Sequence, residues 1–166
     1  VANPIMVSTR IQFFLVDEGD AAKQKAKLNN VRNEAIKKYV SLLTSKDSDS
    51  KIDNLLIADD RLGSIQDIKT TIRGDKEAML MEIATTNPEK FINLLANTNI
   101  SQVAEIKKFI MSGYLRQLPN TTIITDGTDP SVVLGNTINE VISYMASSVN
   151  AAYVNELKVK FNSLIR

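Results

Sequence analysis

Neither cysteine nor histidine occurs in the 166 residues. Their absence excludes disulfide scaffolds, thiol nucleophiles, zinc fingers and any mechanism built on an imidazole base. Tryptophan is missing too, and Phe and Tyr make up only 5% of the chain. That is too little for the aromatic stacking platform that grips single-stranded nucleic acid. Glycine is scarce, with six isolated residues, so there is no Gly-rich loop to cradle a phosphate. No charge of one sign dominates: 20 Lys and Arg stand against 19 Asp and Glu, and they are well mixed along the chain. No global field therefore points to a polyanionic partner. Long apolar runs are lacking as well. "IQFFLV" is far too short to span a bilayer, and Arg10 and Gln12 make it a poor signal-peptide core. The expectation is a protein without a membrane partner, most simply in the cytoplasm or in a particle assembled there.

What is present is the composition of an ordinary folded domain, 43% hydrophobic and 23% charged. A chain of this length buries enough surface to fold without a metal or a cross-link. In "VSTRIQFFLV" the residues Val7, Thr9, Ile11, Phe13 and Leu15 alternate with Ser8, Arg10 and Gln12. A period of two predicts a strand or arm over residues 1–16, with one apolar face and no partner next to it in sequence. A long helix is predicted over 17–46. Asp17, Glu18 and Asp20 suit its N-terminus, and Leu28, Val31, Ala35, Tyr39 and Leu42 recur at helical spacing. Its first turns, "AAKQKAK", are polar on nearly every face and are expected to project into solvent or lie against a partner. "TSKDSDSK" is read as a solvated loop and the best internal hinge.

Residues 51–166 read as a compact helical domain. Ser64 and Asp67 form a capping box for a short helix expected to stop at Gly74. Asn87, Pro88 and Glu89 mark a helix start, Ser101 opens another, and Gly113 ends it. "GYLRQLPNTTIITDG" then predicts a hairpin near 114–134, with a Pro-Asn turn between two short apolar strands. Thr137 and Glu140 form a further capping box, and an amphipathic helix with Val154, Leu157, Phe161 and Leu164 on one stripe closes the chain. The fold class is α+β, predominantly helical.

The signals for chemistry are few. "KDSDSKID" spaces Asp47, Asp49 and Asp53 for oxygen ligands, but a calcium loop starting at Asp47 needs Gly and Glu where Ile52 and Ala58 stand. Asp126 and Asp129 lie in dipeptides that are turn chemistry in their own right. Without histidine, a hydrolase would need a Ser–Lys or paired-carboxylate site, and neither has a local signature here. Methionines at helical spacing read as core filling. No catalytic, cofactor-binding or metal-ligating residue is expected, nor a small-molecule substrate.

Two resemblances bear on function. Two helices joined by "ANTN" and followed by two strands, over about residues 88–134, resemble a winged helix. That likeness implies possible nucleic-acid contact through Lys107, Lys108 and Arg116, and more firmly if Lys158 and Lys160 join them in space. "EIATTNPEKFINLL", "EIKKFIMSGYL" and "LGNTINEVISYM" together resemble helical modules of large tailed-bacteriophage proteins. This implies a virion or phage-encoded component and transfers no site. The reading favoured by the residues is a non-catalytic structural or interaction protein that self-assembles or joins a protein partner. Its expected contacts are Ile11, Phe13 and Leu15 at the front and Leu157, Phe161 and Leu164 on the last helix. The alternative for all six is that they complete the chain's own core.

Overall fold

The computed structural model describes the backbone of residues 4–166 and the side chains of residues 18–166. The first element is a single helix, α1 (Pro4–Leu43), which at 1.5 Å per residue is about 60 Å long. The strand expected at the front is thus helical. Its residues fit both periods, because Val7, Ile11, Phe14 and Leu15 also recur at helical spacing. Pro4 sits in the first turn, where its missing N–H costs nothing. With no neighbouring strand to complete a ladder, a segment satisfies its backbone groups most simply within itself, as a helix does. Residues two apart on a helix diverge by about 200°, so Phe13 no longer shares the face that Ile11 and Leu15, four apart, keep in common. Their side chains lie outside the described residues.

Helices α2 (Ser48–Ala58), α3 (Ile65–Thr70), α4 (Arg73–Thr86), α5 (Pro88–Ala96) and α6 (Ile100–Met111) follow. The expected hinge is largely absorbed into α2. Asp47 is its N-cap position, Ser48 is buried, and Arg73 holds both the Ser48 hydroxyl, at 3.2 Å, and the Asp49 carboxylate. The run of small polar residues marks a helix start rather than a flexible joint. Gly74 likewise lies in the first turn of α4, and α3 ends earlier, at Thr70. The capping signals behave as read: Ser64 Oγ accepts from the Asp67 amide at 3.0 Å and Asn87 Oδ1 from the Lys90 amide at 3.2 Å.

The C-terminal part of α1 packs against α4 and α5, and α2 packs against α4 and α6. Their inward residues form one apolar core, including Ala35, Tyr39, Leu42, Leu56, Leu80 and Phe91. Tyr39 lies beside Phe91, with ring centroids 6.5 Å apart, and its hydroxyl donates to the Glu77 carbonyl at 3.1 Å. Helix α6 bridges to a second core. Ala104 faces the first, while Ile106 and Phe109 join Leu115, Ile124, Leu134, Val141, Leu157 and Phe161 in the other.

The second core is closed by a three-stranded antiparallel meander, β1 (Leu115–Gln117), β2 (Ile124–Asp126) and β3 (Val133–Gly135), with α7 (Ile138–Ala146) and α8 (Ala151–Ile165). In β1–β2, Leu115 faces Asp126 and Gln117 faces Ile124, and a bulge interrupts β2–β3 between Ile124 and Thr125. The Pro-Asn turn forms as expected. The Thr121 amide donates to the Leu118 carbonyl at 3.2 Å, and Asn120 takes φ 57°, the left-handed residue that a type II turn needs third. Leu115, Ile124 and Leu134 are buried and Arg116 is exposed, so the hairpin closes a core. The architecture is helix-dominated α+β.

Candidate interaction surfaces

The sequence-predicted contacts on α8 divide by helical position. Leu157 and Phe161 are 3% and 7% exposed, and Phe161 meets Phe109 edge-on with centroids 6.0 Å apart. Both complete the chain's own core and are not available to a partner. Leu164, one turn further on, is 41% exposed. The stripe continues to Leu164, whose side chain stays partly open although its carbonyl accepts from Lys69 Nζ at 2.8 Å.

The basic residues do not gather into one patch. Lys107 Nζ reaches back to the C-terminus of α2, donating to the Ala58 carbonyl at 2.8 Å and to Asp60 Oδ1 at 2.6 Å. Lys158 pairs with Glu105 at 3.2 Å and Lys160 with Glu156 at 2.6 Å. Arg116 is exposed on β1. The order of elements is that of a winged helix, but α5 packs on α1 and α4 whereas α6 has α2 as its chief neighbour. The two therefore do not form the paired helices of a groove-reading unit.

Lys108 is different. It lines a cleft of about 490 Å³ between α2, α6 and α8, with Asn54, Ser101, Glu105, Lys158 and Asn162 around it. Burial lowers the pKa of its amine, and the carboxylates of Asp53 and Glu105 act the other way. Its hydrogen bond to Asn54 Oδ1 is long, at 3.4 Å. Glu105, paired with Lys158, is the one carboxylate lining the cleft, so the lining holds no carboxylate pair.

Polar groups elsewhere hold the fold. The Asp59 side chain is buried, with Oδ1 2.5 Å from Lys90 Nζ and Oδ2 3.6 Å from Arg61 Nε, tying the end of α2 to α5. Asp126 anchors the turn after β2. Its Oδ1 accepts from the Thr128 amide and hydroxyl and from the Asp129 amide, and its Oδ2 accepts from the Tyr153 hydroxyl at 2.5 Å. The Thr128 and Tyr153 hydroxyls, outweighing partial burial, hold this carboxyl well below its usual range. Burial, then the Asp126 charge, pushes the Tyr153 phenol up.

A depressed carboxylate contributes stability that is complete above its unfolded pKa, about 3.9, and fades as pH falls toward the folded value. The phenol, shifted upward, contributes stability that is intact below about pH 10 and is lost above it. Tyr153→Phe is expected to cost about 1.5–3 kcal/mol near neutrality, the range of a hydrogen bond to a charged group. The gap between variant and parent should narrow below about pH 4, where Asp126 begins to protonate in the unfolded chain. Urea midpoints at pH 6 and pH 2.5 measure both, and a gap that stays constant would refute the coupling.

The remaining surface is α1. From residue 18 to residue 30 every residue is exposed, whereas Ala35, Tyr39 and Leu42 are buried. The helix is embedded toward its C-terminal end and exposed over residues 18–30. Within the exposed stretch, Leu28 is 65% exposed and lies beside a groove of about 390 Å³ formed with Val31, Thr86 and Pro88. The sequence signalled this in the polar "AAKQKAK" turns, but Leu28 read as one more inward residue because its spacing matches Val31 and Ala35. Among the described residues no group of His, Cys, Asp or Glu is placed to hold a metal, and no helix is long and apolar enough to cross a membrane. No protein-family profile, curated protein or solved structure matches the chain.

Proposed function

We propose that this chain is a non-catalytic assembly component that works by contact, with α1 as its arm. The observation that carries this reading is the uninterrupted exposure of residues 18–30 on a helix whose other end is embedded in the core. A helix stretch that is polar on nearly every face gains little from burial against its own body, and isolated helices are marginal in water. A second body lying along the arm supplies the missing contacts. The resemblance to tailed-phage modules transfers no residue.

A photo-crosslinking residue at the exposed Ala22, in the intact chain in the cells that make it, tests the reading. A discrete adduct with a second copy or another protein is expected, with none from the exposed Gln66 on α3. No adduct from Ala22 would refute it. Titration with labelled duplex and single strand at two salt concentrations tests the competing class. Binding that falls steeply with salt, as counterion release requires, and that Lys108→Ala with Arg116→Ala removes, would favour nucleic acid instead.

A further inference from the structure

Three lysines among the described residues are half-buried: Lys76, Lys107 and Lys108. Two of them hold a carboxylate. Lys76 Nζ lies 2.7 Å from Asp53 Oδ1, and Lys107 Nζ lies 2.6 Å from Asp60 Oδ1. Lys108 has no carboxylate of the described residues within 4.0 Å. The two whose charges reach it are engaged elsewhere, Asp53 by Lys76 and Glu105 by Lys158 at 3.2 Å. An ammonium drawn out of water without a close counter-charge is costly, and here burial outweighs both carboxylates and lowers the pKa of the amine. An anion from outside the chain is the simplest partner for a group so placed.

The cleft that Lys108 lines selects the anion. At about 490 Å³ it has the size of a small-ligand site. Asn54 Oδ1 accepts from Lys108, and Gln102 Oε1 accepts from Ser101 Oγ at 3.3 Å, so the NH2 groups of both amides are left to donate. One amine and two amides suit a group that only accepts, as an ionised carboxylate or a phosphate does. Charge separates these two. Lys108 and Lys158 are countered in the lining by Glu105, which leaves a single positive charge. A monocarboxylate balances it, whereas a phosphate dianion would bring a second negative charge into the cleft with Glu105. On the α8 side Phe161 and Ile165, the latter 40% exposed, form an apolar wall for the rest of the ligand.

We propose that the cleft between α2, α6 and α8 binds an organic monocarboxylate, with the carboxylate held by Lys108 and the amides of Asn54 and Gln102 and an apolar stem against Ile165. The site lies apart from α1 and goes beyond the reading of that helix as a contact arm. A free short-chain acid and the C-terminus of a peptide both carry this chemistry. Hexanoate stands for the first and N-acetylglycylleucine for the second, each titrated into the intact chain and followed by amide resonances. Saturable shifts at Asn54, Gln102 and Lys108 are expected at millimolar concentration. Shifts with hexanoate support a free acid as the ligand, and shifts with the dipeptide alone support a peptide end.

Lys108→Met keeps an apolar stem in place and removes the charge, and it is expected to raise the dissociation constant about tenfold or more. It should not lower the urea midpoint, because the amine it removes is half-buried without a carboxylate partner. Hexanamide, which has the same stem and no charge, tests the same point on the unaltered chain and is expected to leave the resonances unmoved. No saturable shift with either acid overturns the site. Hexanamide binding as tightly as hexanoate, or Lys108→Met binding as tightly as the parent, overturns the role of Lys108. Inorganic phosphate displacing both acids at lower concentration overturns the carboxylate in favour of a phosphoryl group.

Discussion

Gly127→Ala is expected to lower the stability of the protein by about 3 kcal/mol or more, at or beyond the upper end of the usual overpacking range. Gly127 follows β2 and its amide donates to the Tyr114 carbonyl at 2.9 Å, so two backbone segments meet there with no side chain between them. A Cβ at this position would lie 2.9 Å from the carbonyl carbons of Gly113 and Tyr114, and closer still to the Gly113 oxygen. These are backbone atoms, and no rotamer change relieves the clash. Gly113 has no room to retreat at low cost, because it takes φ 78° to end α6 and turn the chain into β1. The hairpin would have to separate from α6 and uncover Leu115 and Ile124. For a chain of this size the loss corresponds to a fall in Tm of about 6–12 °C. Gly63→Ala is the control, since its nearest neighbour would be 3.9 Å away, and it should change stability by less than about 0.5 kcal/mol. Thermal denaturation followed by circular dichroism measures both, and a Gly127→Ala protein as stable as its parent would show that the hairpin does not pack on α6 as described.

Phe161→Ala is expected to cost about 3–5 kcal/mol, the range for emptying a buried aromatic site. The ring is 7% exposed, meets Phe109 edge-on at 79°, and belongs to the same core as Leu157 and Val141. Its loss removes transfer energy and leaves a cavity between α6 and α8, and it also removes a wall of the Lys108 cleft. Leu164→Ala, one turn further along the same stripe, should cost less than about 1 kcal/mol because that side chain is 41% exposed. Equilibrium urea unfolding separates the two. If both substitutions left stability alone but changed the chain's mass in solution, α8 would be an interface after all. This pair of outcomes decides between core and contact for residues that share one helical stripe.

The two arguments rest on features of unequal legibility. Gly113 stood out as a helix stop and Gly127 as part of a turn, each from its own neighbours in sequence. That the two backbones touch could not be read locally, because it depends on α6 and the hairpin folding back on each other. Phe161 and Leu164 show the same limit from the other side. Periodicity places residues on a common face, but where the covering body ends is set by the lengths and positions of other elements.

By itself the sequence determined the helix-dominated α+β class, the capped starts at Ser64, Asn87 and Thr137, the stop at Gly113, the Pro-Asn turn and the exclusion of thiol and imidazole chemistry. These are local or compositional facts, governed by hydrogen bonds between residues a few positions apart or by atoms the chain does not possess. Only the tertiary structure decided the rest. It made residues 7–15 part of a helix, since apolar spacing there satisfies both periods and the outcome turns on whether a neighbouring strand exists to pair with. It turned "DSDSK" from a hinge into a helix start held by Arg73, 25 residues away from Ser48. It put Lys108 and Lys158 on one cleft with Glu105 and set Lys107 on Asp60, Lys160 on Glu156 and Arg116 out on β1, because charges group or scatter according to how α2, α6 and α8 are stacked. It also left Leu28 uncovered on a seam whose next members are buried, a distinction that burial alone can draw.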